Sequence, residues 1–190
     1  MTELDESIAA LPDTGPWKLG AAGERILLTR PEETPIHLRT IAHSLAHTCR
    51  WGGHCSRYYS VAEHSLHVMV LLERTHGRAG AVLGLLHDAH EAYVGDVGTP
   101  IKRVLGETWR AFERAWEWRV RAHFDLPDFP GRLRHADLVA LATEREHIMP
   151  ECSGWDVPLP APDRGWRCQG LEPAQAFRAW MWHAARLGLE

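Results

Sequence analysis

The most chemically pointed residues in this chain are His87 and Asp88, side by side after the apolar run Leu83-Gly84-Leu85-Leu86. An apolar helix that ends this way delivers an imidazole and a carboxylate toward the interior, where ionisable groups are costly unless paired or bound to a metal. On a helix the two lie about 100° apart, close enough to reach one ion. His64 shares a helical stripe with Val61, Val68, Leu71 and Leu72 and therefore faces the core. Asp137 shares its stripe with Leu133, Ala140 and Leu141, and a carboxylate on such a face needs a partner. Taken singly, each has an ordinary role as a hydrogen-bonded core residue. Taken together, His64, His87, Asp88 and Asp137 have one common explanation, a divalent cation held from three helices.

Two imidazoles and two carboxylates favour one transition metal, Co, Mn, Ni, Fe or Zn, over Ca or Mg. Four protein ligands leave positions open for water and a substrate oxygen, as a catalytic metal requires. The expected chemistry is metal-assisted hydrolysis. Glu91, one turn after His87, is placed to act as general acid or base, its plainer role being a helix-end salt bridge. His67 and His90 are expected to be solvated or to stand beside the ligands. Glu144, on the stripe of Asp137, has no evident function and is expected to pair with an arginine.

The elements that must position these groups are helical. A helical pattern runs from Pro35 to about Cys49, with one strand-like run before it at Arg25 to Thr29. Gly52-Gly53 breaks a polar and aromatic loop. Ser60 then caps a helix, with Glu63 in capping-box position, and Gly77 ends it. The next helix is expected from Arg78 to Tyr93, followed by the loop from Val94 to Pro100 and a turn at Ile101 to Leu105. Longer helices are expected at Glu107 to Phe124, Gly131 to Met149 and Pro173 to Leu187. The stretch from Pro150 to Gly170 reads as irregular, with room for a small hairpin near Trp166.

The 190 residues suit one domain, taken as 1–190 with its core at about 36–149. No apolar run is long enough to span a bilayer and the first residues are acidic, so a cytoplasmic protein without a membrane partner is expected. The net charge of −4 argues against a nucleic-acid polymer as partner but allows a small nucleotide. The four cysteines fit no Cys-x-x-Cys zinc spacing, and a zinc knuckle from Cys49, His54 and Cys55 lacks a fourth ligand. Trp109, Trp116, Trp118, Trp180 and Trp182 fall on two helices and suit core packing or an oligomer surface.

The order His64, His87-Asp88, Asp137 follows the H…HD…D pattern of the HD-domain metal-dependent phosphohydrolase superfamily. Arg50-Trp51, the stretch from Tyr59 to Leu66 and the stretch from His87 to Lys102 resemble the bacterial 5′-deoxynucleotidases, and equally the compact dATP triphosphohydrolases of certain phages. The resemblance implies an all-α HD-domain helical bundle with irregular N-terminal and C-terminal extensions, assembled as a homodimer or larger homo-oligomer. It implies that His64, His87, Asp88 and Asp137 ligate the metal and that Glu91 and Asp96 are the acid–base carboxylates. By the same resemblance Arg50 contacts the substrate phosphate and Trp51 orients the nucleotide. Asp96, Val97, Gly98 and Thr99 complete the pocket, with His64 and Asp137 also beside the substrate. Where the family has a bulkier residue, often proline, this chain has Gly98. Lys102 is expected to be solvated.

The activity so implied is a 5′-nucleotidase that removes phosphate from (deoxy)nucleoside 5′-monophosphates. The alternatives are a deoxynucleoside triphosphate triphosphohydrolase and a non-catalytic nucleotide-binding HD protein. A structural zinc protein is disfavoured, because the ligand set is rich in oxygen and contains no thiol.

Overall fold

The structure, a computed structural model, describes residues 15–151 and 158–189. A short antiparallel hairpin of β1 (Trp17–Leu19) and β2 (Arg25–Leu27), with Trp17 opposite Leu27, precedes the helices. These are α1 (Leu38–His47), α2 (Val61–Leu86), α3 (Glu91–Val94), α4 (Thr99–His123), α5 (Pro130–Ile148) and α6 (Pro173–Arg186). The fold class is all-α, as the periodicity predicts. No helix among the described residues is long and apolar enough to cross a membrane. Expectations about the acidic first residues and about Cys152 lie outside the described residues.

Helix α2 is a helical hairpin. Gly77 (φ 58, ψ −147) breaks it into two arms, in a conformation that side-chain-bearing residues rarely adopt. The arms then pack closely. A Cβ on Gly80 would lie 2.4 Å from the Leu72 carbonyl oxygen, and one on Gly84 would lie 2.6 Å from the Met69 Cα. This antiparallel register places Leu72 by Gly80 and Val68–Met69 by Gly84. One turn further along it sets His64 against His87 and Asp88.

The remaining helices clamp that hairpin. Helix α5 packs on α2 and α6 on both α1 and α2, while α1 also meets α3. The main core joins Ile41 and Leu45 of α1, Met69 and Leu85 of α2, Trp116 of α4 and Trp180 of α6. A second cluster, Val68, Leu72 and Leu83 with Ala136 and Ala140, seats α5 and so positions Asp137. Of the five tryptophans on α4 and α6, Trp116 and Trp180 are fully buried whereas Trp118 and Trp182 are exposed.

Several local expectations need correction. The second arm of α2 does not run to Tyr93: it ends at Leu86, and residues 87–90 form a turn bonded i to i+3, with Ala89 N–H on Leu86 O and Glu91 N–H on Asp88 O. His87 and Asp88 therefore leave the helix axis on a tightened turn. Residues Ile101 to Leu105 are helical, as the first segment of α4 before a break at Gly106 (φ 71). Ser60 does accept from Glu63 N–H at 3.1 Å. The Glu63 carboxylate, however, accepts the backbone N–H groups of Gln169, Gly170 and Leu171 at 2.6, 3.2 and 2.7 Å. Those bonds replace the hairpin expected near Trp166, and no strand forms there among the described residues.

Candidate metal centre

The first arm of α2 carries His64, fully buried, while the turn after the second arm carries His87 and Asp88, and α5 carries Asp137. His64 Nε2 lies 3.3 Å from His87 Nε2, 3.1 Å from Asp137 Oδ1 and 3.6 Å from Asp88 Oδ2. His87 Nε2 is 3.1 Å from Asp88 Oδ2. Ligand atoms of His64, His87 and Asp137 all fall within 4.8 Å of one another, a cluster able to hold a metal ion.

The other ring nitrogens are already committed. His64 Nδ1 donates to Glu144 Oε1 at 2.6 Å, and His87 Nδ1 donates to the Gly84 carbonyl at 2.8 Å. An ionised carboxylate and a carbonyl only accept, so each ring must carry its proton on Nδ1. Both Nε2 atoms then turn toward two carboxylates. Burial and the Arg50 charge oppose protonation of His64, but Glu144 and Asp137 outweigh them and raise its pKa to about 9. Asp88 is held below the usual carboxylate range by His87, His64 and Arg50, against the effect of burial. The cluster thus calls for positive charge at Nε2. One proton satisfies one pair there, whereas one divalent cation satisfies all four ligands. The donor set fits a metal ion.

Glu144 receives more than the expected arginine. It is fully buried, and its Oε2 accepts from Arg50 Nε and Trp51 Nε1, each at 3.0 Å. Arg50 Nη1 lies 3.9 Å from Asp88 Oδ2, which sets the guanidinium beside the ligands. Glu91 is buried, and its Oε2 has no hydrogen-bond partner among the described residues. Burial and the neighbouring Asp88 and Asp96 charges push its pKa well up. Burial also raises Asp96, against the pull of Arg50. Val97 is half-buried, and Gly98 and Thr99 are exposed at the start of α4.

A cleft of about 650 Å³ opens on His87, Asp88 and Asp137. Leu83, Phe129 and Leu133 give it an apolar wall, and His90, Lys102 and Glu113 a polar one. Arg50, Trp51, Glu91 and the stretch from Asp96 to Thr99 are not among its lining residues. Lys102, expected to be solvated, is half-buried and pairs with Glu113 at 2.5 Å. His90 is buried with Nε2 3.9 Å from the same carboxylate. Local periodicity does not report this trio, because His90 comes from the turn before α3 while Lys102 and Glu113 lie on α4 on either side of the Gly106 break. His67 is not solvated either. It is fully buried, lies 3.3 Å from Asp163 and stacks on Trp166 at 4.5 Å, and burial pushes its pKa down to about 4. Cys49 and Cys55 sit 3.9 Å apart as free thiols, and His54 is exposed, so no knuckle forms there among the described residues.

The fold and the site together define an all-α protein with a candidate His/Asp metal centre at the meeting of a helical hairpin and a third helix. No family model matches the chain. It is 33% identical over 138 residues to the uncharacterized protein YfdR of Escherichia coli, covering 72% of this chain and 75% of that protein. It is 34% identical over 142 residues to the uncharacterized protein RCAP_rcc00048 of Rhodobacter capsulatus, covering 70% of this chain and 72% of that protein. The chain belongs to the family of these two proteins.

Proposed function

We propose that this protein is an HD-type metal-dependent phosphohydrolase that removes phosphate from (deoxy)nucleoside 5′-monophosphates. The observation that carries the reading is the convergence of His64 Nε2, His87 Nε2, Asp88 and Asp137, with both Nδ1 atoms committed elsewhere. A divalent transition ion held by these four residues would supply Lewis acidity, polarising a phosphoryl oxygen and lowering the pKa of a water.

The chain's own residues do the rest. Arg50, fixed by Glu144 and beside Asp88, offers its remaining N–H groups to phosphate oxygens. Asp96 takes the proton of the attacking water as its oxygen bonds to phosphorus. Glu91, whose pKa is pushed up by burial and by Asp88 and Asp96, gives a proton to the 5′-oxygen as the bond from phosphorus to that oxygen breaks. The products are a nucleoside and inorganic phosphate.

Charge in the cleft favours the monophosphate over a triphosphate. Beyond the ligands its cations Lys102, Arg121 and Arg134 are matched by the acids Glu113, Glu117 and Asp128. Lys102 pairs with Glu113, and Arg121 lies 3.5 Å from Asp128. Among the described residues the lining therefore has no surplus positive charge for two further phosphates. The same reading has the chain act in the cytoplasm as a homo-oligomer, with the exposed Trp118 and Trp182 available as contact surface.

The test is product release from metal-stripped protein resupplied with Mn, Co, Ni, Zn or Mg, against all dNMPs, NMPs and dNTPs, with Asp88→Ala as control. Phosphate from monophosphates, lost in the control, supports the reading. Triphosphate from dATP would replace it with a triphosphohydrolase. No product with any pair would overturn the reading and leave a non-catalytic nucleotide-binding protein or a hydrolase of an unrelated phosphoester.

A further inference from the structure

Among the described residues, Glu144 is the one buried carboxylate beside the centre for which the proposed reaction has no use. It lies on α5 with Asp137, and the two acids grip one imidazole from both sides: Asp137 Oδ1 at His64 Nε2, 3.1 Å, and Glu144 Oε1 at His64 Nδ1, 2.6 Å. Its second oxygen holds Arg50 Nε and the Trp51 indole N–H. The turn that carries this pair, Arg50–Gly53, is strained, with Trp51 at φ 61, a left-handed conformation uncommon for a residue with a bulky side chain. A strained turn is thereby fastened to a ligand imidazole through one carboxylate that is itself fully buried.

We propose that Glu144 is a positioning residue that ties loading of the metal centre to the setting of Arg50 and Trp51. One oxygen holds a proton on His64 Nδ1, so that Nε2 is the atom presented to the cation. The other fixes the guanidinium, whose Nη1 lies beside Asp88, together with the neighbouring indole. The proposal rests on the reading of His64 as a metal ligand. Partners that orient ligand histidines in this way change metal affinity when removed, by about 10–100-fold. A carboxylate serving only as a buried ion-pair partner would lower thermal stability without moving the metal affinity or the oxyanion affinity.

The experiment compares wild type, Glu144→Gln and Arg50→Met as full-length chains. Cobalt affinity is read by chelator competition, inorganic phosphate affinity by titration of the cobalt-loaded protein, and the His64 tautomer of zinc-loaded wild type by long-range 1H–15N NMR. A glutamine has one accepting oxygen and cannot serve both sides. Glu144→Gln is expected to lose about 10–100-fold in cobalt affinity and to bind phosphate more weakly when loaded. Arg50→Met is expected to lose phosphate affinity with no fall in cobalt affinity. Wild-type His64 is expected to carry its proton on Nδ1. Cobalt affinity in Glu144→Gln within threefold of wild type would overturn the proposal, and so would a His64 proton on Nε2, a result that stands even if the variant does not fold. Wild type that binds no divalent ion would overturn the metal centre itself, an outcome distinct from either.

Discussion

Glu91 and His64 show how single side chains here are set by their surroundings. Glu91 has its pKa raised by burial and by Asp88 and Asp96, which favours the protonated form and suits the proton-donor role proposed for it. Glu91→Gln keeps the shape and removes the proton, and should lower turnover by about 10²–10⁴-fold with metal content unchanged by elemental analysis. His64 makes a pH prediction with opposite signs for stripped and loaded protein. Its pKa is raised to about 9, so the protonated ring stabilises the stripped protein fully below its unfolded value and that contribution is lost as pH rises through about 9. The melting temperature of chelator-treated protein should therefore fall from neutral pH to pH 9. Metal must displace the same proton, so metal affinity should rise about tenfold per pH unit up to that point, readable by competition titration. The candidate cluster was legible in the sequence, His64 and Asp137 as titratable residues on apolar stripes and His87 with Asp88 at the end of an apolar run. The Glu144 network was not, because Arg50 and Trp51 reach it from far along the chain and nothing in local periodicity reports such a pairing.

At the scale of elements, the centre depends on how closely the two arms of α2 approach. Gly84→Ala would push its Cβ into the Met69 backbone and part His64 from His87. The expected loss is about 1–3 kcal/mol in denaturant unfolding, with weaker metal binding. The segment before α6 depends on Glu63, whose carboxylate collects three backbone N–H groups. In Glu63→Gln an amide N–H₂ replaces one accepting oxygen and leaves a buried donor unmet, at a cost of about 1–3 kcal/mol. Limited proteolysis should then cut first within residues 158–172. The Ser60 cap and the Gly77 break could be read from sequence because both are local. The tightened turn at residues 87–90 could not, because helix and i to i+3 turn use the same residues there and only packing decides between them. Glu63 looked like half of a capping box, and its long-range partners won instead.

For the whole molecule, fold class was legible from periodicity alone, whereas the cleft was not. Its walls bring Leu83 together with Lys102, Glu113, Phe129 and Leu133, an assembly that only the packing of α2, α4 and α5 creates. That cleft, open on His87, Asp88 and Asp137 and balanced in charge, is what supports a small monophosphate as the proposed substrate. The most direct test of the metal-dependent phosphohydrolase assignment is phosphate release from a deoxynucleoside monophosphate by chelator-stripped protein titrated with Mn or Co. No release without metal, rising to a plateau at one ion per chain and absent in Asp88→Ala, is the result predicted. Release that is indifferent to metal, or undiminished in Asp88→Ala, would contradict it.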